Sequence, residues 1–536
     1  MRKLGAMRNA VPSVGDGPEI TVPHDDTGIG GLGSAVMRLT RVTATVMSGL
    51  IALGAAAAPA AAATGGGLKS DLDAILKDKR LDGATVDLIV RDARTGKVLY
   101  DHGSDRPVTP ASNNKIQTST AAFGLLGGGY RFRTSVSTKG GDLYLTGTGD
   151  PTMRAAQYDR LAKTIAAAGI KQVKGDLVAD DTWFDAKRTA PDWDPTDLPY
   201  SYAAPISALT VSPDDEFDAG SINVRVTPGD PGDPAHAELT PKTGVVKLDN
   251  RAKTGKAGSA STLNVTRENG TIVVKGSYPA DGAAADNLVS VANPTRYAAD
   301  VFRRALKRHG VTVAGGIERG RTPAGARRVA THRSIPLSKL ATPFLKLSNN
   351  GIAETLVKSV GRVKAGQGSW SAGLPLVKAY LKRMGEDTGQ VTLTDGSGLS
   401  NTNRTTARQL SNALLKARTR PWFRTWYDAL PIAGKPDPMV GGTLAERMAG
   451  TAAAGNVHAK TGSLTGATAL SGYVTGPKGR KLVFSSVFNG YQGDAPKDIE
   501  DKIAVRLASG KNVSTKVLRA GRNGGGDLEC SWTRTC

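Results

Sequence analysis

Apolar periodicity changes character twice along this 536-residue chain, and that change constrains its architecture more than any single residue does. Up to about residue 132, and again from about 335 to 510, helical spacing alternates with a few strand-like stretches. Between about 133 and 334, short alternating strands dominate, broken by turns such as Gly147 to Asp150 and Pro228 to Pro234. The helical and strand periods differ, so a segment obeys one or the other. The pattern predicts a mixed α/β chain of the α+β kind. Residues 64–132 and 335–510 would form two parts of one domain, and 133–334 would be inserted strand-rich domain material. The length alone exceeds one ordinary core.

Local signals fill in this outline. Ser70 and Asp73 read as a cap-like helix start. Val86, Leu88 and Val90 alternate, Ala93 to Gly96 turns, and Val98 and Tyr100 begin a return strand, which predicts a hairpin. A helix fits about Ser112 to Leu126, stopped by Gly127-Gly128-Gly129. Further helices fit 155–168, 297–309, 371–384, 405–418 and 496–508. Near the end, Asn456 to Ala459, Leu470 to Val474 and Leu482 to Phe488 read as strands.

The ends have their own signatures. Arg38 and Arg41 precede an uncharged stretch from Val42 to Ala63, and Ala61-Ala62-Ala63 suits signal cleavage. Its 22 residues would also just span a bilayer as an uncleaved anchor, but their Ala and Pro content favours cleavage. Residues 1–63 are therefore expected to be an N-terminal extension with a signal peptide, and the product to be exported to the cell wall or the outer face of the membrane. Residues 511–536 form a polar, Gly-rich tail, expected to be flexible, with the two cysteines, Cys530 and Cys536. Their pairing would suit an oxidising compartment.

The formal net charge is +22. No basic run is interleaved with aromatics and no helix-turn-helix or zinc-finger signature occurs, so nucleic acid is not the expected partner. An anionic cell wall or membrane surface fits the charge better. Six scattered His residues and no Cys/His cluster of metal-ligand spacing disfavour a metal enzyme, and no cofactor is expected.

Three short patterns carry chemistry: Ser112-x-x-Lys115, Ser348-x-Asn350 and Lys460-Thr461-Gly462. A serine hydroxyl needs a base to become a nucleophile. On a helix, residues three apart share a face, which brings Ser112 and Lys115 together. Burial and a second cation, Lys460, would lower the pKa of Lys115 enough for it to serve as that base. Ser348 could relay a proton and Asn350 could hold Lys115 and a substrate amide. Lys460, Thr461 and Ser463 offer donors to a carboxylate, on extended chain able to pair with a peptide. Lys-Thr-Gly also begins at Lys242 and Lys253, and Ser-x-Asn also begins at Ser112 and Ser221, so order and context must select among the copies. Only Lys460 follows an extended segment in this reading.

Together with these motifs, Leu145 to Pro151 (LTGTGDP), Tyr202 to Leu209 (YAAPISAL), Asp395 to Ser400 (DGSGLS) and Ala459 to Gly472 make the chain resemble the class C low-molecular-mass penicillin-binding proteins over about 68–508. Asn113-Asn114 and Ser463 depart from the residues usual there. The resemblance implies a penicillin-recognising serine transferase fold with an antiparallel central sheet flanked by helices. It implies a D-alanyl-D-alanine carboxypeptidase or endopeptidase acting on peptidoglycan stem peptides, with β-lactams as inhibitors. It assigns Ser112 as nucleophile, Lys115 as base, Ser348 as proton relay, and Asn350 and Lys460 as supports. It places Thr461, Gly462 and Ser463 at the substrate, the Ser463 N–H completing an oxyanion hole. The alternatives are a β-lactamase, for which Glu354 is the candidate water-activating base, and a non-catalytic β-lactam-sensing or wall-binding protein. Asp197 and Tyr202 are further candidates, an acid and an aromatic that could meet a cationic substrate side chain.

Overall fold

The computed structural model describes residues 67–512 and Ser514. The expected signal segment and the two cysteines lie outside these residues. Five antiparallel strands make the central sheet, in the order His458–Leu464, Ala467–Thr475, Lys481–Asn489, Thr85–Asp92, Val98–His102. The N-terminal hairpin therefore completes a sheet begun by the C-terminal meander, in register from Thr85 opposite Asn489 to Asp92 opposite Leu482. That pairing is why the two flanking sequence segments form one body.

Strand alternation sends side chains to two cores. Leu88, Val90, Leu470 and Phe484 meet Ile499 and Ile503 of the terminal helix Lys497–Ser509 on one face. Ile89, Ala469, Val483 and Val487 meet Ile116, Phe123, Leu356 and Leu410 on the other. These come from helices Asn114–Leu126, Asn350–Ala365 and Ala407–Ala417. Both faces are covered, so Ala467–Thr475 and Lys481–Asn489 are apolar or small almost throughout. Each large aliphatic side chain buried here contributes roughly 1.5–3 kcal/mol.

Residues between these parts build a second sheet, in the order Ile317–Arg319, Leu177–Asp180, Asp142–Gly147, Arg133–Lys139, Arg327–Arg333. Its first and last strands in the chain, Arg133–Lys139 and Arg327–Arg333, pair antiparallel. The polypeptide thus leaves and rejoins the central body through adjacent strands. Helices Ala155–Ala167 and Pro294–Arg308 cover one face with Tyr158, Leu161, Phe302 and Leu306. Smaller sheets, including Ala285–Ser290/Ser221–Thr227/His236–Thr240, complete this region.

Three local readings change. Ser70 is not a cap: the helix is Leu68–Ile75, Gly67 is at its N-cap, and the Ser70 hydroxyl donates back to the Gly67 carbonyl at 2.8 Å. The 297–309 helix begins earlier, at Pro294, because Asn293 caps it by accepting from the Arg296 N–H. The strand expected at Asn456 to Ala459 is His458–Leu464, so Lys460 to Gly462 lie inside it. Among the described residues, no helix is long and apolar enough to cross a membrane.

Candidate active site

Ser112 lies in the 3-10 turn Ala111–Asn113, directly before the helix from Asn114. Ala111 has φ 46° and Ser348 has φ 58°, so both serine-bearing turns use left-handed backbone. Such residues cost about 1–3 kcal/mol and persist where packing enforces them. Here the enforcement is visible. A Cβ on Gly398 would lie 1.9 Å from the Ala111 carbonyl oxygen. One on Gly462 would lie 2.9 Å from the Pro110 carbonyl oxygen. Two bare backbones therefore press on the turn from opposite elements.

The Lys115 Nζ donates to Ser112 Oγ at 2.9 Å, to Asn350 Oδ1 at 2.6 Å and to the Ser397 carbonyl at 2.8 Å. The i, i+3 spacing explains the first contact, since one helical turn stacks the two side chains. Asn350 opens the helix Asn350–Ala365, with Asn349 as its N-cap accepting from the Ile352 N–H at 2.9 Å. The Asn350 amide group donates to the Tyr202 carbonyl at 2.9 Å, which turns its oxygen toward Lys115. Lys460 donates to Ser348 Oγ at 2.9 Å and to the Thr461 carbonyl at 2.9 Å. The three sequence motifs thus converge.

Lys460 and Thr461 lie on His458–Leu464, the edge strand of the central sheet. Asn113 fixes this strand to the Ser112 turn. The amide orientation that satisfies all its neighbours donates to the Lys460 carbonyl at 2.7 Å and the Thr461 carbonyl at 3.1 Å, and accepts from Ser471. Thr461 is buried and its hydroxyl donates to Thr443 at 2.7 Å, whereas Ser463 lines the cavity.

A cavity of about 820 Å³ opens over Ser112, Ser348 and Asn350. Its lining also includes Asp194, Asp197, Glu216, Asp218, Tyr491 and Lys497. The Tyr202 hydroxyl donates to Asp197 Oδ1 at 2.7 Å, and the Tyr200 and Tyr202 rings stack at 5.4 Å. Burial raises the Asp197 pKa despite that bond. Burial, with Asp214 and Glu216 close by, holds Asp218 well above the usual carboxylate range. Four acidic side chains thus line the cavity of a strongly basic chain.

Glu354 does not face the cavity as a water-activating base. Its carboxylate is fully buried and accepts from the Gly396 N–H at 2.9 Å, the Ser397 N–H at 2.7 Å and Trp370 Nε1 at 2.6 Å. Burial, then the charge of Asp395, raises its pKa to about 7. The other Lys-Thr-Gly copies also correct the reading. Lys253–Gly255 is itself a strand, parallel to Ser277–Pro279, so extended backbone does not single out Lys460. Exposed Lys242 pairs with Glu238. What distinguishes Lys460 is its buried contact with Ser348. Two contributors had no role assigned from sequence: the Ser397 carbonyl and the Tyr202 carbonyl. The Asp395 to Ser400 segment was the available signal. Among the described residues, no group of acidic, His or Cys side chains could hold a metal ion.

Residues 68–510 match the family described as D-Ala-D-Ala carboxypeptidase 3 (S13). The chain is 47% identical over 486 residues to a D-alanyl-D-alanine carboxypeptidase from an Actinomadura species, covering 88% of this chain and 90% of that protein. Among solved structures, penicillin-binding protein 4 from Haemophilus influenzae matches with a TM-score of 0.70 at 24% identity, covering 81% of this chain and 98% of that one. The same protein complexed with a β-lactam matches with a TM-score of 0.65 at 24% identity, covering 82% and 98%. At that identity the likeness is one of fold.

Proposed function

Since the chain belongs to the D-Ala-D-Ala carboxypeptidase 3 (S13) family, we propose that Ser112 is its nucleophile and Lys115 the base that activates it. The protein is a serine-type D-alanyl-D-alanine carboxypeptidase that acts on peptidoglycan stem peptides and binds β-lactams. The observation that carries the assignment of roles is the 2.9 Å contact between Lys115 Nζ and Ser112 Oγ, on a nitrogen that Asn350 and Ser397 also hold.

In this reading the Lys115 amine takes the Ser112 proton as Oγ bonds to the carbonyl carbon between the two D-alanines. The N–H groups of Ser112 and Ser463 receive the developing oxyanion. Collapse breaks the C–N bond, and Ser348, held by Lys460, passes a proton to the departing amine. Water then releases the acyl group from Ser112. A penicillin follows the first steps and stays attached. Gly462 gives the Ser112 turn room, Ser463 on the cavity lining receives the terminal carboxylate, and buried Thr461 holds the strand in place through Thr443. Asp197 and Tyr202 receive a cationic side chain of the stem peptide, a reading supported by their mutual hydrogen bond on the cavity wall.

Residues 64–132 and 335–510 form the catalytic domain in this proposal, and 133–334 form the insert. The protein is exported through the segment ending near Ala63 and is drawn by its charge to an anionic wall or membrane surface. Both a free stem-peptide terminus and a crosslink fit the proposed chemistry. Mass spectrometry after incubation with a penicillin tests the core of it. One adduct should map to the Ser112 peptide and vanish in Ser112→Ala. An adduct on another serine overturns the assignment.

A further inference from the structure

Two of the acceptors that hold Lys115 are themselves fixed by the insert. The Tyr202 carbonyl orients Asn350. The second connection is longer. The Ser397 carbonyl, which accepts from Lys115 at 2.8 Å, belongs to the same peptide group as the Gly398 N–H. That N–H donates to Asp395 Oδ1 at 2.7 Å. Asp395 is wholly buried and also accepts from the Ser400 N–H at 2.7 Å, from Asn403 Nδ2 at 2.9 Å and from the Ser397 hydroxyl at 3.4 Å. Its remaining partner is the indole of Trp193, which donates to Oδ2 at 3.0 Å. Trp193 lies 202 positions before Asp395, in the insert.

We infer that Trp193 is a positioning residue for Lys115, acting through Asp395 and the Ser397–Gly398 peptide. A carboxylate behind a peptide N–H polarises that peptide and makes its carbonyl a stronger acceptor. The Trp193 N–H draws part of the Asp395 charge away from the peptide. The acceptor strength felt by Lys115 is thereby set from the insert. This rests on Lys115 being the base for Ser112.

The surroundings make this a built arrangement rather than an isolated contact. Trp193 packs edge-on to Trp370 at 6.4 Å, and Trp370 donates to Glu354, which grips the Gly396 and Ser397 N–H groups. Two indoles thus serve two carboxylates that hold one loop. Asp192 of the insert accepts from Ser400 and Thr402 of the same loop. The charged groups around it are Asp395, Glu354, Asp192 and Lys115, with Lys358 over the Trp370 ring at 3.8 Å and Lys460 across the site.

The test is the pH profile of Ser112 acylation by a fluorescent penicillin, with the full-length protein. Trp193→Phe keeps the ring and removes the N–H. More charge then remains on Asp395, the Ser397 carbonyl accepts more strongly, and the Lys115 ammonium is favoured. The acid limb should move up by about half a pH unit or more, with acylation near pH 7 falling about threefold or more. Replacement of Trp193 by benzothienylalanine, which exchanges N–H for sulfur on the same bicycle, should do the same and covers the case in which the phenyl variant folds poorly. Trp183→Phe is the control, because the Trp183 N–H has no hydrogen-bond partner among the described residues; its profile should match wild type. A Trp193 profile that overlays wild type, or a rate loss with an unmoved acid limb, overturns the inference. An acid limb that survives in Lys115→Ala overturns the assignment of the base instead.

Discussion

Gly462 and Ser112 lie 350 positions apart, yet a Cβ on Gly462 would stand 3.1 Å from the Ser112 backbone nitrogen. The same atom would be 2.9 Å from the Pro110 carbonyl oxygen and 3.1 Å from the Asn113 nitrogen. All three are backbone atoms, which cannot swing aside. The Lys-Thr-Gly strand can touch the Ser112 turn because one residue has no side chain.

Gly462→Ala should therefore displace the Ser112 turn. Overpacking of this kind costs about 1–3 kcal/mol. Acylation by a fluorescent penicillin should fall about tenfold or more while the circular-dichroism spectrum is retained. Wild-type acylation would show that strand and turn separate freely.

The three Lys-Thr-Gly copies should behave unequally. Lys460→Ala removes a buried cation from the Ser348 hydroxyl and should slow acylation by about two orders of magnitude. Lys242→Ala and Lys253→Ala alter exposed side chains in the insert and should leave the rate within about twofold. Stopped-flow acylation of the three variants decides the matter, and equal losses would remove the distinction.

Asp197→Asn should weaken turnover of a D-Ala-D-Ala peptide bearing a free side-chain ammonium by about tenfold, or roughly 1.4 kcal/mol. The N-acetylated peptide should be nearly unaffected. The tyrosine bond to Oδ1 can persist in the variant, so the measurement isolates charge. Equal effects on both peptides would exclude Asp197 from side-chain recognition.

Glu386 gives a stability prediction. It is almost fully buried, both carboxylate oxygens lack a hydrogen-bond partner among the described residues, and burial, only partly offset by Lys416, pushes its pKa from the usual 4.5 to about 8. The folded state then holds a proton that the unfolded chain releases above about 4.5, so this group's contribution to stability falls as pH rises from about 4.5 to about 8. Glu386→Met should raise Tm at pH 8, with the gain shrinking toward pH 5. Calorimetry across that range checks it, and a gain independent of pH would show that the carboxyl does not titrate there.

The sequence by itself determined the mixed architecture and singled out three motifs whose residues the fold brings together. Their information is local. Period reports which face of an element is apolar, and Ser112 and Lys115 meet because a helical turn spans three residues. Most helices fell within a few residues of their observed ends for the same reason, and the Pro294 start was missed because its signal is a cap rather than a period.

Motif order pointed to Lys460, but tertiary structure supplied the contact that sets it apart, since Lys253–Gly255 is as extended as Lys460–Gly462 and only Lys460 is seen to donate to Ser348. It also turned Glu354 away from the cavity and onto the backbone of Gly396 and Ser397. The hold of the insert on the site through Trp193 and Tyr202 has no sequence period at all. Each contact joins residues more than a hundred positions apart, and one of them uses a main-chain carbonyl that any residue would supply. Only the folded chain fixes which distant donor lies within 3 Å of which acceptor, because hydrogen bonds are short-ranged and directional while the sequence records only order along the chain.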